Sequence, residues 1–229
     1  MLTLSVVITA QNRPAYLKEC VESLKKQSLD PAQFEIIIVD DDSKDPRALA
    51  AVRECVENKG GHQILGFYLQ KSRGPGGARN CGNGHAAGDI IVVQDSDDIS
   101  LEHRLLKIKN WFNMNIWADV FYSGAYLVDE SLKTCAQHRA TLEQFAHLER
   151  HQDIWHPTMA YRRRVLDQVS YPEDPADVDY GFLLAAKKAG CQFGFIDEPL
   201  VLYRSHPGQI SRAQFAQQQV LAAAKKGRR

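Results

Sequence analysis

Over the first hundred residues, short uninterrupted apolar runs alternate with segments whose apolar positions recur every three or four residues. Leu4 to Thr9 is the first such run, β-branched and apolar, and it predicts a buried strand. Beyond Asn12 and Pro14, the residues Leu17, Cys20, Val21 and Leu24 fall at i, i+3, i+4 and i+7 and predict a helix, with Asn12 as its cap. Ile36 to Val39 predicts the next strand. Pro46 then opens a second helix with Leu49, Val52 and Val56 on one side. Ile64 to Leu69 predicts a third strand, Gly74 to Gly77 breaks the chain, Ala78 to Ala87 fits a short helix, and Ile90 to Val93 predicts a fourth strand. Continuous apolar strands separated by helices imply a parallel sheet covered on both faces. Ligands of such sheets bind outside the carboxyl ends of the strands, which directs attention to residues 9–13, 40–43, 71–77 and 95–98.

The second half is less regular. Leu101 to Asn113 and Leu142 to His151 predict helices, and His156 to Tyr161 a strand. Val178 to Ala189 predicts a helix with Asp177 near its start and Gly190 past its end, and Cys191 to Ile196 and Leu200 to Tyr203 predict strands. With no repeat, low-complexity segment or clear linker, residues 1–229 read as one domain. The 28 basic residues balance 28 acidic ones, which argues against a nucleic-acid binder that works through a global basic field, so no nucleic-acid partner is expected. The opening MLTLSVVITAQNRP has no basic segment and its apolar run stops at Ala10, unlike a signal peptide. No stretch approaches the roughly 18 to 20 apolar residues of a membrane span. Cys20, Cys55, Cys81, Cys135 and Cys191 are scattered without a CxxC pair, as expected of free thiols in a reducing cytoplasm. Four of the last five residues, Lys225 to Arg229, are basic. They read first as a solvated tail, with peripheral contact to the inner membrane surface as the alternative.

The charge that matters is local. In Gln94-Asp95-Ser96-Asp97-Asp98, three carboxylates within four residues follow an apolar strand directly. Such a cluster repels itself unless a cation or strong donors hold it, and oxygen-only ligands suit Mg²⁺ or Mn²⁺. A polar loop that caps the next helix would use the same letters. Asp40, Asp41, Asp42 and Ser43 repeat the design after the second strand, where a carboxylate can accept from a base N–H or a ribose hydroxyl, or merely start a helix. In Arg73-Gly74-Pro75-Gly76-Gly77-Ala78-Arg79-Asn80 a dinucleotide fingerprint fails at Arg79, and the turn from Thr9 to Pro14 has no glycine, which disfavours a Rossmann oxidoreductase. The glycines fit a close backbone approach to a ligand, with Lys71 or Arg73 beside an anionic group.

Taken in order, Ser5 to Arg13, Val39 to Asp45, Gly74 to Gly82 and Gly88 to Asp98 resemble the successive motifs of the family 2 glycosyltransferases, nucleotide-sugar enzymes of GT-A fold. The resemblance implies an α/β domain with a Rossmann-like, mostly parallel central sheet flanked by helices. Residues 1–100 would form the nucleotide-sugar half, 101–211 the acceptor-side half, and 212–229 a C-terminal helix and basic tail. It further implies that Thr9, Gln11 and Arg13 line the base and ribose, with Asp40 or Asp41 on the base and Lys71, Arg73 and Ser96 on the donor. Gln11 stands where an aromatic residue is usual and Ser72 where asparagine is common. Asp95 would face the ribose or the metal, and Asp97 would bind the divalent cation, Mn²⁺ or Mg²⁺, that bridges the two phosphates.

Asp177-Val178-Asp179-Tyr180 followed by Leu183-Leu184-Ala185 resembles the family's acceptor-side segment, with Asp177 in the place of the catalytic base and Ala176 where glutamate is usual. Tyr203-Arg204-Ser205-His206 is similar to the family's RxH segment, in which His206 would add a metal ligand and Arg204 would contact phosphate. The implied activity is inverting transfer of a sugar from a nucleotide-diphosphate donor, UDP-linked in first place, to a hydroxyl of a glycan, lipid-linked or protein acceptor. His156 would either contact the acceptor or serve the structure. Trp111, Trp117 and Trp155 would either stack on a sugar or fill the core. A sugar nucleotidyltransferase is the rival enzyme, but residues 9–14 lack its glycine-rich basic loop. A non-catalytic nucleotide-sugar-binding module is the rival non-enzyme, and the acids at 95, 97 and 177 weigh against it.

Overall fold

A computed structural model describes residues 2–173 and 178–209. Its centre is a nine-stranded mixed sheet. In chain order the strands and helices are β1 (Leu4–Ala10), α1 (Pro14–Lys25), β2 (Phe34–Asp40), α2 (Pro46–Glu57), β3 (Gln63–Tyr68), α3 (Gly74–His85), β4 (Ile90–Asp95), β5 (Ile99–Ser100), α4 (Arg104–Met114), β6 (Val120–Val128), β7 (Thr134–His138), α5 (Leu142–Ala146), β8 (Ala160–Arg162), α6 (Val178–Lys188) and β9 (Phe193–Arg204). The sheet order is β3-β2-β1-β4-β8-β6-β9-β5, with β7 paired to β6. The first four strands in that order are parallel, β8 runs antiparallel to both β4 and β6, and β6 and β9 are parallel.

The apolar runs are continuous because each strand is covered twice. Val6, Ile8, Ile36, Ile38 and Val92 pack on one face with Leu17, Cys20, Val21 and Leu24 of α1, Val52 of α2 and Leu105, Ile108 and Phe112 of α4. Val7, Ile37, Val39, Ile91 and Val93 pack on the other with Ala78 of α3 and Phe182, Leu183 and Ala186 of α6. Alternate residues of one strand therefore serve two cores. Trp111 belongs to the first core and Trp155 stacks on His138, whereas Trp117 stands half exposed.

Several elements differ from the sequence expectation. Asn12 does not cap α1, whose first turn follows Arg13. Asn12 sits at φ 54°, and its Oδ1 accepts from Lys44 N (2.8 Å) and Asp45 N (3.0 Å), tying the loop after β1 to the loop after β2. The buried face of α2 is Ala48, Ala51, Val52 and Cys55 rather than Leu49 and Val56, and Asp45 is its cap. Gly74 to Gly77 does not break the chain but forms the first turn of α3. The helix tolerates glycine there because Gly76 lies against Pro172, where a Cβ would fall 1.9 Å from the carbonyl oxygen. The predicted helix from Leu142 shrinks to five residues, and His156–Thr158 forms a 3₁₀ turn before β8. The two C-terminal apolar runs join into the single strand β9. Among the described residues no helix is long and apolar enough to cross a membrane.

Candidate functional site

The carboxyl ends of β1, β2 and β4 lie side by side, since Thr9 is in register with Val39 on one side and Asp95 on the other. Asp40 is spent inside its own loop, where Oδ1 accepts from Ser43 N (2.9 Å) and Oδ2 from the Ser43 hydroxyl (2.5 Å). All of these bonds fall within its own loop, whereas the equally buried and equally engaged Asp41 reaches a neighbouring one. Asp41 joins two loops, accepting from Arg73 N and from Ser72 Oγ, each at 2.8 Å, while Gln11 Nε2 donates to the Asp41 carbonyl at 2.6 Å. Gln11 and Ser72, the two departures from the motif pattern, thus meet at the same aspartate. Lys71 is exposed, and exposed Arg73 pairs with Glu173.

The turn after β4 is braced from below. Gln94 Nε2 donates to the carbonyls of Asp95 (3.0 Å) and Asp98 (3.1 Å), and its Oε1 accepts from Arg104 Nη1 (2.6 Å) and Ser100 Oγ (2.7 Å). Arg104 is fully buried, and its Nη2 donates to the carbonyls of Val93 and Pro157, both at 2.7 Å. Burial pushes its guanidinium down to about 10 despite the attraction of Asp98. This support rigidifies a turn that must hold three like charges together.

Asp95, Asp97 and Asp98 each place an oxygen within 4.8 Å of the others. Burial raises the Asp95 carboxyl above its ordinary value, with Asp97 and Asp179 adding to the effect and Arg79 and His156 opposing it. Burial and the two neighbouring acids push Asp98 well above the usual carboxylate range. Its Oδ1 accepts from Arg204 N (2.9 Å), but its Oδ2 is buried without a hydrogen-bond partner. Asp97 Oδ2 accepts from Arg13 Nη1 at 2.6 Å and lies 2.9 Å from His206 Nε2. Ser96 is buried between these acids. A hard divalent cation fits this group, since the donors are carboxylate oxygens with one imidazole at hand and the orphaned Asp98 oxygen has unused lone pairs to offer.

Arg204 does not reach an open phosphate site. Its guanidinium lies 4.6 Å over the Tyr16 ring and pairs with Glu19, and the residue is 1 % exposed. It holds the end of β9 on α1 instead, and the following turn places His206 against Tyr16 and Asp97. Asp177 and the segment 212–229 lie outside the described residues.

Sequence reasoning passed over Arg79. On α3 its Nη2 donates to Asp95 Oδ1 (2.8 Å) and its Nη1 to Asp179 Oδ1 (2.9 Å). Burial disfavours its charge, but Asp179 and Asp95 outweigh that and hold the guanidinium above its ordinary value. The available signal was a single arginine in a glycine-rich helix whose other residues are mostly small. His156 is also buried here, with Nε2 2.9 Å from Tyr171 Oη and Nδ1 3.5 Å from Asp179 Oδ1. Burial pushes its imidazole well below 6.5, with Arg79 assisting, so it serves the interior as a neutral ring.

The sequence model of glycosyl transferase family 2 matches residues 5–170. An uncharacterised glycosyltransferase of Methanocaldococcus jannaschii is 28 % identical over 207 residues, which cover 87 % of this chain and 70 % of that protein. Among solved structures, S. aureus TarS 1–349 in complex with UDP-GlcNAc superposes with a TM-score of 0.75 at 21 % identity, covering 91 % of this chain and 60 % of that one. Against the longer S. aureus TarS chain the shared region is only 37 % of its length. The mannosyltransferase PcManGT of Pyrobaculum calidifontis, in complex with GDP-Man and Mn²⁺, superposes with a TM-score of 0.73 at 17 % identity, covering all of this chain and 65 % of that one.

Proposed function

The chain belongs to glycosyl transferase family 2, and on that premise we propose that it transfers a sugar from a nucleotide-diphosphate donor to an acceptor hydroxyl with inversion at the anomeric carbon. The observation that carries this reading is the convergence of Asp95, Asp97 and Asp98 at the end of β4, beside the loops after β1 and β2. Oxygen ligands at that place suit a diphosphate brought in with its cation. UDP is the preferred nucleotide, and the complexes of TarS with UDP-GlcNAc and of PcManGT with GDP-Man support a nucleotide-linked donor.

In this reading Asp95, Asp97 and Asp98 hold Mn²⁺ or Mg²⁺, with His206 as the imidazole beside them. When bound, the cation would supply positive charge to offset the negative charge developing on the departing diphosphate. Thr9, Gln11 and Asp41 border the nucleoside, and Arg13 stands between Asp97 and the donor. The acceptor oxygen attacks the anomeric carbon as the bond to the diphosphate breaks. The bonding electrons leave with the nucleoside diphosphate, and the acceptor proton passes to the Asp177 carboxylate. The acceptor is a glycan, a lipid-linked saccharide or a protein.

A thermal-shift panel of nucleotide sugars with and without Mn²⁺ tests the donor class. The expected result is stabilisation by one UDP-sugar that requires the metal, abolished in Asp97→Ala. Asp177→Asn should retain that stabilisation and lose transfer. The absence of a shift with every nucleotide, or full transfer activity in Asp177→Asn, would falsify the corresponding part of the reading.

A further inference from the structure

Helix α3 carries a buried ionic contact that the donor reading leaves unexplained. The Arg79 side chain is 9 % exposed and divides its fork between two carboxylates from different halves of the molecule. Asp95 ends β4 on the donor side, whereas Asp179 lies in the first turn of α6 on the acceptor side. The two Nη atoms of a planar guanidinium have a fixed separation, so one cation meeting both acids sets the spacing between them. The guanidinium also lies 5.6 Å from the centre of the Tyr171 ring.

The neighbouring residue reinforces this grip. Asn80 Nδ2 donates to Tyr171 O (2.8 Å) and its Oδ1 accepts from Tyr171 N (2.9 Å). One turn earlier, Gly76 lets Pro172 O come so close that no side chain would fit. Helix α3 therefore holds the chain at Tyr171 and Pro172 and again at Asp179. These points flank the sequence that contains Asp177. The buried His156 ring lies 3.5 Å from the same Asp179 oxygen that Arg79 binds.

We propose that Arg79 is a positioning residue for the transfer reaction, fixing the first turn of α6 at a set distance from Asp95 so that donor and acceptor sides share one frame. The inference rests on the glycosyltransfer reading, because it needs Asp95 to face the donor and the start of α6 to face the acceptor. In this role Arg79 acts through Asp95 and Asp179, the two side chains its guanidinium binds. Lysine could neutralise one acid at a time but could not span both with fixed geometry.

The test compares wild type with Arg79→Lys, Arg79→Gln, Asp179→Asn and the double variant Arg79→Lys with Asp179→Asn. Binding of UDP with Mn²⁺ is measured by calorimetry, and UDP release from UDP-GlcNAc, with water as acceptor, is measured well below each melting temperature. Asp179→Asn removes a partly exposed group and keeps the comparison valid if Arg79→Gln fails to fold. The expected result is a UDP affinity within about threefold of wild type but kcat lowered about 100-fold, the scale on which a misplacement of roughly 1 Å acts. The double variant should be no slower than the slower single one, because either change alone cuts the same link. A fall in kcat that merely follows the folded fraction would overturn the proposal, as would a UDP affinity that weakens as much as kcat, or single effects that multiply in the double variant. Wild-type protein that neither binds UDP nor releases it from UDP-GlcNAc would overturn the donor reading and this inference with it.

Discussion

Two glycines two positions apart on α3 make a controlled experiment on how this helix is seated. A Cβ at Gly82 would lie 2.5 Å from Val7 Cγ1 and 3.3 Å from Val39 Cγ2, whereas a Cβ at Gly84 would meet nothing within 4 Å. Both are helical, so alanine gains about 0.5–1 kcal/mol of intrinsic propensity at either site, with the lower figure applying at Gly84 near the helix end. At Gly84 that gain stands alone, and Gly84→Ala should raise Tm by about 1–2 °C in a chain of this size. At Gly82 the new methyl needs about 1 Å of room to reach an ordinary carbon–carbon contact near 3.5–4.0 Å. Val7 cannot supply it, because its strand is hydrogen-bonded to β2 on one side and β4 on the other. Overpacking of this kind costs about 1–3 kcal/mol. The overlap outweighs the propensity gain, leaving Gly82→Ala about 1–2 kcal/mol less stable and its Tm about 2–8 °C lower. Differential scanning calorimetry of the two variants beside wild type reads both shifts. A Gly82→Ala protein as stable as Gly84→Ala would refute the seating of α3 on β1 and, with it, the reach of Arg79 to Asp95.

Three further outcomes follow from the buried polar groups. Arg104→Met should lose about 3–5 kcal/mol in urea unfolding, because it removes four buried hydrogen bonds to Gln94, Ser100, Val93 and Pro157; a loss below about 1 kcal/mol would show that relief of the buried charge compensates. His156 is neutral when folded and its pKa is depressed, so the stability it contributes is present above its ordinary value of 6.5 and is lost as pH falls below it, when the unfolded chain takes up the proton. His156→Gln should therefore flatten the decline of Tm between about pH 6.5 and 5, and a slope unchanged from wild type would contradict the assignment. Asp98 has a raised folded pKa, so without cation it opposes folding at neutral pH and does so less as pH falls. Asp98→Asn should match or exceed wild-type Tm in EDTA at pH 7 yet bind Mn²⁺ at least tenfold more weakly by titration, and equal Mn²⁺ affinity would remove Asp98 from the ligand set.

The parallel half of the sheet was legible because its signal is local. Phe34 to Asp40 is buried at every position, and a seven-residue strand flanked by helices leaves few other solutions. The acids at the ends of β2 and β4 were legible for the same reason, as charge directly after an apolar run. What escaped depends on partners distant in the chain. The glycines of α3 read as a break because their tolerance comes from Pro172 and Val7, which the local sequence does not show. β6 and β7 escaped because β6 mixes Ser123 and Gly124 into its run and β7 is polar and mostly exposed. Asp40 and Arg204 carry the residue types expected of ligand contacts, yet their bonds go to Ser43 and to Glu19. Arg79 escaped because its meaning lies in two carboxylates that only the fold brings together.

The backbone bond from Arg204 to Asp98 spans 106 positions of sequence. During synthesis β1 to β4 emerge first and can pair with one another, so the strand carrying the acids forms well before the residue that pins them. Until β9 has added itself beside β6, the Asp98 carboxylate has no backbone N–H to receive, and His206 is not yet beside Asp97. Closing so long a loop is slow relative to local pairing. A nascent chain can therefore display a nearly complete parallel sheet while its acidic turn remains unassembled, which ties the first moment of ligand competence to the arrival of the last described strand.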